Sequence, residues 1–187
     1  YVVPSAPGKR SSSDTKVTDM LYSCYNLAIR EKKFTSLLDE IHARYNEIID
    51  GLNLELSLDH EFEVIAKQFE EKAGSDYAAS RGEYLNGIIM ANYLGFPFVD
   101  SAEVIRFDKH GEFDADTTNK LMEKKLAELE KAVIPGFYGA YADGKIKTFS
   151  RGGSDITGSI VAKAVKADLY ENWTDVSGFL VTDPRLI

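Results

Sequence analysis

Apolar residues along this chain recur at two spacings, and the two alternate. Val17, Met20, Leu21, Cys24, Leu27 and Ala28 come at three- and four-residue intervals, which turns one face of a helix toward a core. Phe34, Leu37, Leu38, Ile41, Tyr45, Ile48 and Ile49 repeat the pattern, as do Leu58, Phe62, Ile65 and Phe69 before Gly74. The run from Ser75 to Leu94 is helical in composition, although Gly82 and Gly87 interrupt it, and Gly95 ends it. A further helix is expected within "DADTTNKLMEKKLAELEKA", started by Asp114 or Asp116. Against these stand short runs that read as strands: "YVVPSAPG", "FPFVDS", "EVIRF", "VIPGFYGAY", "IKTFS", "ADLYENWTD" and "GFLVTDP". Helices alternating with such strands predict an α/β protein whose largely parallel sheet is covered on both faces.

The 187 residues, 44% of them hydrophobic, suffice for one compact core or two closely packed lobes. A formal net charge of -8 without a block of lysines and arginines excludes a nucleic-acid footprint, while leaving room for a local anion pocket. No run approaches the ~18 apolar residues that a membrane span needs. The single cysteine, Cys24, has no intrachain partner and falls on an apolar stripe, so it is expected in the core. His42, His60 and His110 show no paired spacing, so neither a metal site nor a histidine triad is expected. A reducing cytoplasm fits this composition. The chain opens directly on a strand and stops on apolar residues, so it is expected to be a piece of a longer protein.

Four segments carry chemistry. In "FSRGGSDITG" a strand runs into a helix, which is where an open parallel sheet places ligands. Gly152 and Gly153 let the backbone approach a bound group, and the helix N-terminus offers free amides. Arg151 can fork onto a carboxylate or phosphate, and Asp155 can orient an ammonium. The same residues would also serve as a plain turn in which Ser154 or Asp155 caps the helix. In "WTDVSGF", Thr174 and Asp175 can meet a ribose or base edge, or cap a turn. Arg185, in "TDPR", can reach a phosphate, and Trp173 is assigned to the core. Glu83, in "SRGEYLN", sits beside Gly82, where a ligand or only solvent can meet it. "PSAPGKR" carries Ser5 into a glycine turn, and Thr18 follows near the start of the next helix.

In this order, "SAPGKR…VTD", "SRGEYLN", "IPGFYG", "SRGGSDITG" and "WTDVSGFLVTDPR" resemble the blocks of the aspartokinases of the amino-acid kinase family, from the first residue to the last. The resemblance implies a three-layer α/β/α sandwich, about 1–147 forming an aspartate-binding lobe and about 148–187 the start of a nucleotide-binding lobe. It implies transfer of the γ-phosphoryl group of ATP, with Mg²⁺, to the side-chain carboxylate of L-aspartate, which opens lysine, threonine and methionine synthesis. By the same resemblance Ser5 and Thr18 would line the aspartate pocket, Glu83 would receive the ammonium group and Arg151 the α-carboxylate, with Ser154 alongside. Asp155 would hold the catalytic lysine. Gly152, Gly153, Thr174, Asp175 and Arg185 would serve the nucleotide, and no protein metal ligand is assigned. A homo-oligomer is expected of the full-length protein.

The family's Lys-Phe-Gly-Gly segment, which supplies that lysine, lies outside this sequence, as do a second ATP-contacting lysine and the ACT domains. Leu180 stands where the family often has a tyrosine. The 187 residues alone are therefore expected to be inactive. A relative phosphorylating glutamate, N-acetylglutamate or a nucleotide is the nearest alternative reading, and a non-catalytic amino-acid or nucleotide sensor is another. An N-acetylated acceptor would bring no ammonium for Glu83.

Overall fold

The computed structural model describes residues 1–150 and 152–173. The three periodic stretches form α1 (Val17–Ile29), α2 (Thr35–Gly51) and α3 (Asp59–Glu70), followed by α4 (Ser75–Leu94), α5 (Ser101–Val104) and α6 (Ala115–Leu126). Strands β1 (Tyr138–Ala140) and β2 (Ile146–Thr148) precede α7 (Gly153–Ala164). Asp114 starts α6 as expected, its side chain accepting the Thr117 amide. Gly95, left-handed at φ 63°, ends α4.

α4 is one continuous helix, and its glycines are not breaks in it. They are places where other chain segments press in. A Cβ at Gly87 would lie 2.7 Å from Pro135 Cγ and 3.0 Å from Phe98, and one at Gly82 would lie 2.9 Å from Ala6 Cβ. The helix accordingly buries small and polar residues on several sides, Ala78, Ser80, Arg81, Gly82, Glu83 and Gly87 among them. It shows no apolar stripe because it has almost no solvent face.

Parallel pairing links the extended segments: Val133 bridges to Val2 on one side and to Phe98 on the other, and Arg106 bridges to Ala140. β1 and β2 close the pattern as an antiparallel hairpin, with Gly139 opposite Lys147. The parallel segments are shorter than the sequence suggests, since Pro4, Pro97 and Pro135 each remove a ladder donor beside the bridged residues. One core, from Val17 to Ile89, joins α1 to α4. A second joins Ile105, Phe107, Ile134 and Phe149 to Met122 of α6 and Ile160 of α7. The extended segments therefore have helices on both faces, as the α/β reading requires.

Cys24 is fully buried as expected, and burial pushes its thiol up to about 12, which leaves it unreactive. Two expectations fail. The stretch 167–173 contains no strand, and Trp173, assigned to the core, is 89% exposed. Its segment has no ladder partner among the described residues, so no described strand pairing turns the ring toward the sheet. The strand expected in "GFLVTDP" lies outside the described residues.

Candidate functional site

Glu83 is the centre of the candidate site. Its helix carries it inward to 7% exposure, and Oε2 has no hydrogen-bond partner among the described residues. Burial raises its carboxyl from about 4.5 to about 7, opposed by the amides of Ala6 and of Glu83 itself and then by the charge of Arg81. Asp76, two turns earlier on α4, offers the contrast. Its Oδ2 lies 3.0 Å from Lys147 Nζ and its Oδ1 accepts from Thr148 Oγ1 at 2.9 Å, so both oxygens are spoken for. Of the two, Glu83 alone keeps an oxygen without a partner among the described residues.

Two sequence-expected residues, Thr18 and Ser5, meet the same stretch of α4. The missing side chain of Gly82 lets Ala6 reach α4 and leaves Thr18 Oγ1 3.7 Å from where a Cβ would stand. Ser5, next to Ala6, has its carbonyl held at 2.6 Å by Asn86 Nδ2, one turn beyond Glu83. Tyr45, wholly buried on α2, donates to the Gly82 carbonyl at 2.8 Å and fixes this part of α4 from behind.

The glycine turn is built against "IPGFYG". A Cβ at Gly136 would fall 2.7 Å from Ser154 Cα, and one at Gly153 would fall 2.7 Å from Phe137 Cα. Phe137 is held at φ 80°, a conformation few side chains tolerate. Its amide donates to Thr157 Oγ1 at 3.3 Å, and that hydroxyl donates to the Gly153 carbonyl at 2.8 Å. Gly152, left-handed at φ 57°, takes the N-cap position of α7, so neither Ser154 nor Asp155 caps the helix. Among the described residues no side chain caps α7, and a helix N-terminus without such a cap offers its first amides to an anion. Exposed Asp155 accepts from Asn172 Nδ2 at 3.2 Å through Oδ1.

A cleft of about 820 Å³ runs between these two parts, lined by Ser5 and Asn86 on one side and Ser154, Asp155 and Gly158 on the other. Glu83 and Thr18 do not line it. They lie behind Ser5 and Ala6, at the Gly82 contact. The expected residues thus form two adjoining groups: Ser5, Gly152, Gly153, Ser154 and Asp155 at the cleft and the turn, Thr18 and Glu83 at the helix contact. Arg151, Thr174, Asp175 and Arg185 lie outside the described residues. Among the described residues no group of three or more His, Cys, Asp or Glu side chains could hold a metal ion, and no helix is long and apolar enough to cross a membrane.

Sequence reasoning missed Asn86 and Arg81. Asn86 follows Glu83 by three residues, a spacing that places both on one helix face, and that signal was available. Arg81 is buried with its guanidinium 4.6 Å, 4.3 Å and 5.5 Å from the rings of Tyr77, Tyr84 and Tyr138. Tyr77 and Tyr84 stand four residues before it and three after it, again a helical signal.

A profile of the amino acid kinase family matches residues 2–187. Aspartokinase 3 of Bacillus subtilis is 34% identical over 201 residues, a match covering 100% of this chain and 44% of that protein. The crystal structure of Clostridium acetobutylicum aspartate kinase superposes with a TM-score of 0.92 at 53% identity, over 99% of this chain and 43% of that one. E. coli aspartokinase III in complex with aspartate and ADP gives a TM-score of 0.76 at 25% identity, over 100% of this chain and 44% of that one. The chain therefore spans less than half the length of the relatives it matches.

Proposed function

The chain belongs to the amino acid kinase family, and from that premise we propose that the full-length protein transfers the γ-phosphoryl group of ATP to the side-chain carboxylate of L-aspartate. The product is an acyl phosphate, 4-phospho-L-aspartate, the first intermediate toward lysine, threonine and methionine. One observation supports the choice of acceptor: a buried carboxylate, Glu83, with an oxygen that has no partner among the described residues. Such a group pairs with a cation. The free ammonium of an α-amino acid supplies one, whereas an N-acetylated acceptor does not.

In this reading 1–147 form the aspartate lobe and 148–187 begin the nucleotide lobe. Glu83 takes the ammonium, Ser5 and Thr18 flank the acceptor, and Arg151 pairs with its α-carboxylate beside Ser154. Asp155 orients a lysine from elsewhere in the protein. Gly152 and Gly153 leave backbone amides open, and Thr174, Asp175 and Arg185 serve the nucleotide. Mg²⁺ would be held mainly through the nucleotide phosphates, with no protein ligand assigned, and would offset their charge. The acceptor carboxylate is already ionised near neutral pH, so the protein needs no general base. Its work is to align two anions and to offset the charge between them.

The state of Glu83 gives a test. An isolated buried carboxyl with a raised pKa favours folding most below about pH 4.5, and that contribution is lost as the pH rises through about 7. An arriving ammonium reverses the balance and binds the ionised form. The KM of the full-length protein for aspartate is therefore expected to fall about tenfold from pH 6 to pH 8 and then to level, while the KM for ATP follows a different profile. A flat aspartate KM across that range would count against the ammonium assignment.

A further inference from the structure

We propose that Arg44 is a positioning residue for the acceptor side, one guanidinium that closes the loop carrying Ser5 and leading to Thr18. This rests on the reading of Ser5, Thr18 and Glu83 as the acceptor pocket. Arg44 lies on α2 and is 3% exposed, a degree of burial an arginine reaches only when its donors are occupied. All three of its partners belong to one loop. Nη1 donates to the Thr15 carbonyl at 2.8 Å, Nη2 donates to the Gly8 carbonyl, and Nη2 lies 3.1 Å from Asp14 Oδ2.

The loop, residues 5–16, contains no helix or strand of its own. Its outgoing arm passes Ser5, held by Asn86, and Ala6, packed on Gly82. Its returning arm enters α1 at Val17 and reaches Thr18 one residue later, with no side chain capping that helix. Gly8 and Thr15 stand at the neck of the loop, and a single planar fork holds both. The separation of Ser5 from Thr18, and the placing of the Ala6 amide against Glu83, are thus set from α2.

A second tie reinforces the first. The Arg10 amide donates to Asp14 Oδ2 at 2.9 Å, and Arg10 Nη1 reaches Glu47 Oε2, on α2, at 2.8 Å. Both of those side chains beyond Asp14 are exposed, so this pair adds little, and the buried contact dominates. Arginine is required for it because five donors in a fixed plane can serve two carbonyls and a carboxylate together. A lysine ammonium on a flexible stem cannot span that set.

The test uses the full-length protein with Arg44→Lys and, as a milder change, Asp14→Asn. Lys9 and Arg10 are exposed on the loop, so trypsin cleavage there reports its closure. Cleavage is expected to rise at least about fivefold in Arg44→Lys and less in Asp14→Asn. The KM for aspartate is expected to rise about tenfold, with kcat and the KM for ATP within about twofold of the parent, a selectivity that general loss of structure would not give. Equal changes in both KM values, or unchanged cleavage, would overturn the proposal. If the parent protein does not phosphorylate aspartate, the functional reading fails, and the cleavage comparison alone decides whether Arg44 closes the loop.

Discussion

Glu83→Gln is expected to raise the KM of the full-length protein for aspartate by about 100-fold, with the KM for ATP little changed. The substitution keeps the size of the side chain and removes the charge. Truncating one partner of a buried, hydrogen-bonded charge pair costs about 2–5 kcal/mol, and each 1.4 kcal/mol is a factor of ten in affinity. On the proposed reading the uncompensated partner is the substrate's ammonium, with Glu83 as its counter-charge and Arg81 as a buried neighbour of the wrong sign. The same variant should be no less stable than the parent at pH 8 without substrate, since a neutral amide is spared the ionisation that burial opposes. It should also lose the fall in aspartate KM between pH 6 and pH 8. Steady-state kinetics over that range, with thermal melts, measure all three. An unchanged aspartate KM would remove Glu83 from the acceptor pocket.

Gly153→Ala should lower the melting temperature by about 2–12 °C and abolish turnover. The added Cβ would stand 2.7 Å from Phe137 Cα, 2.8 Å from the Phe137 ring and 3.0 Å from Phe149 Cβ. None of these can yield cheaply. The Phe149 amide donates to the Phe137 carbonyl at 2.9 Å, and the Phe137 amide is tied to Thr157, so a shift of one strand drags the other and the start of α7. Overpacking of this kind costs about 1–3 kcal/mol or more, which at about 2–4 °C per kcal/mol for a chain of this size gives the stated range. Gly51→Ala is the control, with nothing within 4 Å of the new methyl and a helical backbone that favours alanine. Scanning calorimetry of both variants checks the contrast. A Gly153→Ala melt within about 2 °C of the parent would mean that the turn is not packed as described.

Much of the architecture was legible because α1, α2, α3 and α6 have a wet side and a dry side, and periodicity reports that difference. α4 has little wet side, so its pattern was blurred and Gly82 and Gly87 looked like interruptions rather than contact points. The four-residue α5 was too short for any period to register, although Asp100 does accept the Ala102 amide as a cap. The strands expected near Val2, Phe98 and Val133 were located but overextended, because proline limits pairing in a way that apolar content does not display, whereas Glu103 and Val104 of "EVIRF" lie in α5 and 167–173 holds no strand.

At the site, residue types and order pointed to Ser5, Thr18, Glu83, Ser154 and Asp155, and the fold gathers them into two adjoining groups. What no local pattern could disclose was the state of Glu83. That depends first on burial, which Ala6 and Arg81 oppose, and on the lack of a partner for Oε2 among the described residues, all consequences of tertiary packing. Arg44 could have been noticed, since it falls three residues after Ile41 and just before Tyr45, on the buried stripe of α2. A charge on that stripe needs a partner, and the loop supplies it.

The most direct test of the account is ADP release by the full-length protein with ATP and Mg²⁺ against L-aspartate, L-glutamate and N-acetyl-L-aspartate. Release with L-aspartate is expected far above the other two, with N-acetyl-L-aspartate inactive because it brings no ammonium to Glu83. Comparable release with N-acetyl-L-aspartate, or none with L-aspartate, would contradict it.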